Sequence, residues 1–330
     1  MIDLKNPEVQ FVVKAVTQAS RLAREIQRKM EGSSLEKSDA SPVTIADFSI
    51  QALFGHLLEK EFPKDVLVAE EDSSVLRQSG DSRHLKVVME SLKPYLGNVE
   101  CEQIIRWIDR GTGKSSGRFW VLDPIDGTKG FIRGGQYAVA LALIERGEVQ
   151  LAALGCPELL PSGESELGGT GTLAIAVKGQ GSWSRSLLME GDFRPIKVSR
   201  CKTGSDATVL RSFETMHTDA VFTERFMKTL GMHAAPVLMD SQAKYLALAC
   251  GKSELFFYLT PPANPDFRMH LWDVAPGALI VEEAGGKISD LMGERLNFSR
   301  GVTLEDNPGI LVTNGVFHAK AVETIRNLLS

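Results

Sequence analysis

The sequence predicts an α+β first half followed by an α/β second half. Apolar residues make up 43% of 330, enough for a full core and for one large or two medium domains. The first half carries long helical repeats and then a group of closely spaced apolar strands, and the second alternates short apolar runs with helical patterns. The division is expected near residue 160, giving domains of 1–160 and 161–330.

Each element follows from local pattern. Pro7 to Met30 is an amphipathic helix: Val12, Val13, Val16, Ala19, Leu22, Ala23 and Ile26 keep helical spacing, while Lys14, Arg21, Arg24 and Arg28 lie elsewhere on its surface. Glu31 to Ser41 is polar and reads as a loop. A second helix spans Thr44 to Glu61 through Ile50, Leu53, Leu57 and Leu58. Val66 to Ala69 is a short strand ending in Glu70-Glu71-Asp72. Helices are expected over His84 to Leu92 and from near Val99, with a loop over Arg110 to Gly117. Phe119 to Leu122 is a strand that leads into the turn Asp123-Pro124-Ile125-Asp126-Gly127-Thr128. Tyr137 to Ile144 and Val149 to Leu154 are strands joined by a hairpin turn at Glu145-Arg146-Gly147-Glu148. Ser162 to Gly169 is a loop near the division. Thr172 to Val177 is a strand, and Gly179-Gln180-Gly181 turns after it. Strand Thr208–Arg211, helix Thr223–Leu230, strand Pro236–Met239, helix Ser241–Cys250 and strand Glu254–Tyr258 follow. A helix from Trp272 to Ala284 is stopped by Gly285-Gly286, and strand Gly309–Thr313 and helix His318–Leu328 close the chain.

Composition excludes several classes. The formal charge is −5, so no basic footprint for a nucleic-acid polymer exists. Cys101, Cys156, Cys201 and Cys250 form no C-x-x-C pair and read as free thiols of a reducing compartment. Met1 to Asn6 shows no secretory pattern, and no apolar run approaches the ~18 residues of a membrane span. A monomeric cytoplasmic protein with no membrane partner is expected.

The chemistry is concentrated in carboxylates. Asp123 and Asp126 straddle a proline just after an apolar strand, Glu70 and Glu71 end another strand, and Asp273 opens a helix. Carboxylates at strand ends contribute little to a fold and suit a hard divalent cation, which takes oxygen ligands from several elements. Two such cations ~3.5–4 Å apart can clamp a phosphate and activate water. Asp123 could bridge the pair, and the backbone N–H groups of Gly127 and Thr128 could receive phosphate oxygens. Asp47 could accept a proton from water or a hydroxyl. An acid in the first turn of a helix is also mildly stabilising by itself, and Asp273 could equally be a simple cap. Ser241 and Lys244, one turn apart in Asp240-Ser241-Gln242-Ala243-Lys244-Tyr245, could share a face toward a ligand, or Ser241 could only cap its helix.

Asp123-Pro124-Ile125-Asp126-Gly127-Thr128, with Glu70-Glu71 upstream and Trp272-Asp273-Val274-Ala275-Pro276-Gly277 downstream, resembles the inositol monophosphatase superfamily. The longer run Thr128 to Ala138 is similar to that of the fungal 3′(2′),5′-bisphosphate nucleotidases, and the likeness runs from Asp47 to Gly286. The resemblance implies a layered α/β/α/β/α sandwich of the lithium-sensitive, magnesium-dependent phosphomonoesterase type. It implies a small nucleotide as substrate, adenosine 3′,5′-bisphosphate losing its 3′-phosphate, and two to three Mg²⁺ ions. Glu70, Asp123 and the Ile125 carbonyl would hold one ion, and Asp123, Asp126 and Asp273 a second. A third would lean on Glu70 and water. Asp47 would polarise the Thr128 hydroxyl, which orients the attacking water. Gly127, Thr128, His217, Ser241, Lys244 and Asp273 would meet the substrate. Fungal members carry an arginine where this chain has Thr260, and Arg268 is the candidate substitute.

Two motifs are decoys. Gly113-Lys114-Ser115 imitates the end of a P-loop, but Ile108 stands where the first glycine belongs. Gly169-Thr170-Gly171 leads into a strand rather than a helix, which removes a dinucleotide site. The rival functions are an inositol phosphate phosphatase of the same superfamily and a non-catalytic sensor of a phosphorylated metabolite.

Overall fold

A computed structural model describes residues 2–32, 42–78, 82–189, 191–213, 220–261 and 264–329. Its first part runs α1 (Pro7–Gly32), α2 (Pro42–Glu61), β1 (Val66–Ala69), α3 (Ser74–Gln78), α4 (Ser82–Leu96), α5 (Cys101–Asp109), β2 (Arg118–Asp126), α6 (Thr128–Ile132), β3 (Ala138–Glu145), β4 (Glu148–Cys156), β5 (Thr172–Val177), β6 (Gly181–Ser186) and β7 (Arg194–Pro195). Its second runs β8 (Leu210–Arg211), α7 (Ala220–Leu230), β9 (Val237–Leu238), α8 (Ala243–Ala249), β10 (Leu255–Tyr258), α9 (Leu271–Glu283), β11 (Lys287–Ser289), β12 (Ile310–Thr313) and α10 (His318–Leu329). Of the expected loop at Glu31 to Ser41, residues 33–41 lie outside the described residues, as does His217.

Strand alternation builds the layers. β1 to β7 form a seven-stranded sheet in chain order, with β1 and β2 parallel and the remaining neighbours antiparallel. Successive strand residues point to opposite faces. Val139, Leu141 and Leu143 of β3 join a core with α1 and α2, whose buried residues include Val12, Val16, Phe48 and Leu53. The alternate residues Ala138, Ala140 and Ala142 join a second core with α8 and α9. Alanines on that face leave room for α9 to lie across β2, β3, β4 and β5. On the far side of these helices, β10, β12 and β11 form an antiparallel sheet in that order. Phe256, Ile310 and Val312 face α8 and α9, and Leu255, Phe257 and Leu311 pack on α7 and α10. The result is a layered α/β/α/β/α sandwich.

The structure departs from the sequence expectations in several places. The seven-stranded sheet crosses residue 160 and ends at Pro195. β6 follows the expected turn at Gly179-Gln180-Gly181 and is an unexpected strand, because its buried face carries Ser182 and Ser184, a polar pattern that hydropathy does not register as a strand. Ser182 Oγ is satisfied there by donating to the Ile280 carbonyl at 2.6 Å. β11 has three residues with only Ile288 strongly apolar, too few for a period to show. β2 does not stop at Leu122 but runs through both aspartates to Asp126.

The α1 start has a local cause. Asn6 Oδ1 accepts the N–H groups of Glu8 and Val9 at 2.8 and 3.1 Å, and Pro7 occupies the first helical position, where no N–H is needed. α2 is buried from Ala46 to Phe54 on every face, so Asp47 and Gln51 lie one turn apart inside the protein. No described helix is long and apolar enough to cross a membrane.

Candidate active site

A proline creates the first feature of the site. Pro124 has no N–H to give the β2–β3 ladder, and the register slips there: Asp123 pairs with Ala140, but Asp126 pairs with Ala138. Three steps on β2 oppose two on β3, which is a β-bulge. In a regular strand, residues three apart point to opposite faces. The extra residue lets both carboxylates turn toward α9, and both feel Asp273.

β2 then ends at Gly127, whose φ of 87° is left-handed. A Cβ at this position would lie 2.6 Å from that of Ser241. Only glycine fits both the conformation and the approach. α6 starts next, at Thr128.

The second carboxylate group is held by Gln51. Its Oε1 accepts the Glu71 N–H at 3.1 Å, and its Nε2 donates to the Glu71 carbonyl and to the Ile108 carbonyl at 2.8 Å. The segment after β1 is thereby fixed beside Asp47, one turn earlier in α2. One carboxylate oxygen from each of Asp47, Glu70 and Glu71 lies within 4.8 Å of the others.

Asp273, the third residue of α9, completes the group. Its Oδ2 accepts the His270 N–H at 3.1 Å, so it also caps its helix. The His270 ring stacks on Trp272 at 4.4 Å between centroids.

These acids repel one another. Burial holds Asp123 well above the ordinary carboxylate range, and Glu70, Asp126, Asp273 and Asp47 push it further. Burial and then Asp273, Glu71 and Asp126 raise Glu70 to about 7. Asp126 is raised to about 7 by burial and Asp273, against the pull of Lys244. Asp47 is raised by burial, then by Glu70 and Glu71. The Asp123 carboxyl pulls Glu70 back down by a smaller amount. Even so, Oδ1 of Asp47 and Oδ1 of Asp123 are buried without a hydrogen-bond partner. Buried oxygens left unpaired are costly, and these are converging, hard and anionic. The donor set fits a divalent cation bound through oxygen.

A cavity of about 370 Å³ opens beside this cluster. It is lined by Asp126, Gly127, Thr128, Lys129, Gly130, Ser212, Asp240, Ser241, Lys244 and Tyr258. Lys244 is buried in α8, and its Nζ donates to Ser212 Oγ at 2.8 Å and to the Met239 carbonyl at 3.2 Å. Burial lowers its pKa to about 8, less Asp126 and Asp240, which hold it up. Ser241 is one of two non-glycine residues with positive φ among those described, at 64°. Such strain concentrates at binding sites. Its Oγ accepts the Ala243 N–H at 3.2 Å, so it is a local cap as well as a wall of the cavity.

A profile of the inositol monophosphatase family matches residues 5–330. The chain belongs to that family. A 3′(2′),5′-bisphosphate nucleotidase of Schizosaccharomyces pombe is 38% identical over 335 residues, covering 96% of this chain and 94% of that protein. One of Oryza sativa with the same name is 39% identical over 326 residues, covering 93% and 90%. Among solved structures, an IMPase of Thermotoga maritima superposes with a TM-score of 0.63 at 19% identity, covering 98% of both chains. An inositol monophosphatase of Anabaena gives 0.61 at 18% identity, over 96% and 94%. These structures share the layered fold.

In this inositol monophosphatase family member, Asp47, Glu70, Asp123, Asp126 and Asp273 act on one another electrostatically, and Gly127, Thr128, Ser241 and Lys244 line the adjoining cavity. The Thr128 hydroxyl donates to the Ile125 carbonyl at 3.4 Å, whereas Asp47 Oδ1 has no partner. Arg268 does not line the cavity: its guanidinium donates to the carbonyls of Glu305, Pro265 and Phe267. The lysines that do line it are Lys129 and Lys244. Sequence alone assigns no role to Gln51 or Gln242. Glu71 was visible as the neighbour of Glu70, but the two glutamines carry no charge and follow no motif spacing.

Proposed function

We propose that this chain is a magnesium-dependent phosphomonoesterase that removes the 3′-phosphate of adenosine 3′,5′-bisphosphate, giving AMP and phosphate. The observation that carries the reading is the shared wall: Asp126, Gly127 and Thr128 belong at once to the acidic cluster's turn and to a nucleotide-sized cavity with buried Lys244. The names of relatives 38–39% identical over nearly the full chain support it. 3′-Phosphoadenosine 5′-phosphosulfate carries the same 3′-phosphate and is a substrate on this reading.

Bound magnesium supplies an activated water and neutralises charge on the phosphate. The chain's residues do the rest. Glu70, Asp123 and the Ile125 carbonyl would hold one ion, Asp123, Asp126 and Asp273 a second, and Glu70 with water a third. Asp47 takes up a proton through Thr128, whose hydroxyl turns from the Ile125 carbonyl to orient the water. The N–H groups of Gly127 and Thr128 receive phosphate oxygens. Lys244 and Ser241 meet the rest of the nucleotide, and His217 meets its base or ribose. Lys129 and Lys244 take the place of the arginine that Thr260 replaces, since Arg268 is committed elsewhere.

Phosphate release from adenosine 3′,5′-bisphosphate and from inositol phosphates, each with Mg²⁺, tests this. Preference for the nucleotide is expected, and equal or reversed rates contradict it. Lithium should inhibit by entering a magnesium position with the wrong charge. Full activity at high millimolar lithium would count against the assignment.

A further inference from the structure

α9 contains a defect next to a proposed metal ligand. Pro276 is the sixth residue of the helix and has no N–H. The Trp272 carbonyl, four residues earlier, therefore lacks its helical donor. That carbonyl belongs to the peptide joining Trp272 to Asp273. A proline inside a helix ordinarily kinks it or leaves the freed carbonyl to water, but here the segment is buried on both sides.

Gln242 fills the gap. Its Nε2 donates to the Trp272 carbonyl at 3.0 Å, and its Oε1 accepts the Gly277 N–H at 3.1 Å. The primary amide offers donor and acceptor from one side chain and so spans both sides of the break. The same residue's backbone N–H donates to Asp126 Oδ2 at 2.6 Å. Gly277 lets α8 come this near: a Cβ there would lie 2.3 Å from the Tyr245 ring. One fully buried residue thus touches the Asp126 carboxylate and the peptide that carries Asp273.

We propose that Gln242 is a positioning residue that sets the separation of Asp126 and Asp273 by bridging the proline break in α9. It holds the two carboxylates at the spacing a shared cation needs, without touching the cation or the substrate. This rests on the reading of Asp126 and Asp273 as ligands of one ion.

The test measures Mn²⁺ affinity of the full chain by electron paramagnetic resonance, with melting temperature alongside, for wild type, Gln242→Leu, Pro276→Ala and the double variant. Partners that orient metal ligands commonly contribute about 10–100-fold to affinity. Gln242→Leu should therefore weaken Mn²⁺ binding about tenfold or more, and Pro276→Ala alone should not. The double variant should recover most of the loss, because an N–H restored at position 276 gives the Trp272 carbonyl its helical partner. A purely structural glutamine would lower the melting temperature of Gln242→Leu and leave its Mn²⁺ affinity unchanged, which overturns the inference. So does a double variant that binds no better than Gln242→Leu. Should Gln242→Leu not fold, the double variant decides alone: affinity close to wild type supports the bridge, and affinity about tenfold weaker overturns it. Wild-type protein that binds no Mn²⁺ overturns the metal reading itself, and the bridge with it.

Discussion

Ser289, Thr313 and His318 lie between the three-stranded sheet and α10, and their polar atoms answer one another. His318 Nδ1 meets Thr313 Oγ1 at 3.1 Å and its Nε2 meets Ser289 Oγ at 3.0 Å; Ser289 Oγ donates to the Asp290 carbonyl at 2.6 Å. Burial holds His318 down at about 4, so it is neutral near pH 7 and fits its surroundings. Asp47 and Asp123 are as deeply placed, yet they and the neighbouring Glu70 and Asp126 repel one another, and one oxygen of each of the two buried acids has no partner. The first group is complete within the chain and serves the fold. The second is complete only with something positive from outside. Burial of polar groups is common to both; satisfaction separates a structural network from a binding site.

The contrast can be broken by exchanging its parts. Asp123→Asn should give the largest effect on activity, a loss of about three orders of magnitude in phosphate release, the upper range for removing one preorganised electrostatic group. It should also leave metal-free protein as stable or more so, since a repelling charge is removed. A sharp fall in melting temperature without metal would contradict this. Asp47→Asn should lower turnover about 100-fold or more, as loss of a general base does, while Mn²⁺ still binds. Lys244→Met should raise KM for adenosine 3′,5′-bisphosphate roughly tenfold or more, a hydrogen bond to a charged group contributing about 1.5–3 kcal/mol. kcat should change less. His318→Ala should do the reverse of Asp123→Asn: about 1–3 kcal/mol lost in denaturant unfolding, with turnover unchanged.

Acidity sharpens the same contrast. Glu70 and Asp126 are raised to about 7 in the folded chain and return to the ordinary carboxylate range on unfolding. Between about pH 4 and 7 the folded state therefore binds more protons than the unfolded one. Stability of metal-free protein must then fall as pH rises through this window. Melting temperatures taken in chelator should show that decline, and saturating Mg²⁺ should flatten it.

Much of this was legible from residues alone. The long helices, the strands of β3 and β4 and the alternation of the second half follow from hydrophobic period. The acidic positions stood out because Asp123, Asp126 and Glu70 end apolar strands where no packing role exists for them. What escaped had physical reasons. The β-bulge at Pro124 depends on ladder register, which one strand does not reveal. β6 turns serines inward, and Ser182 is satisfied only by the carbonyl of Ile280, distant in sequence. Gln51 and Gln242 act through amides on backbone groups 20 to 57 residues away, so their neighbours in sequence say nothing of them. The place of Arg268 also needed the structure, because its donors are taken by carbonyls of its own loop and of Glu305.

The most direct test of the acidic cluster is proton release on adding Mg²⁺ at pH 6.5 in weak buffer. Glu70 and Asp126, both raised to about 7, are largely protonated there, and a bound cation must displace those protons. The account predicts release of about one proton or more per chain, saturating with Mg²⁺ and much reduced in Asp123→Asn. No release from wild-type protein, or equal release from Asp123→Asn, would contradict it.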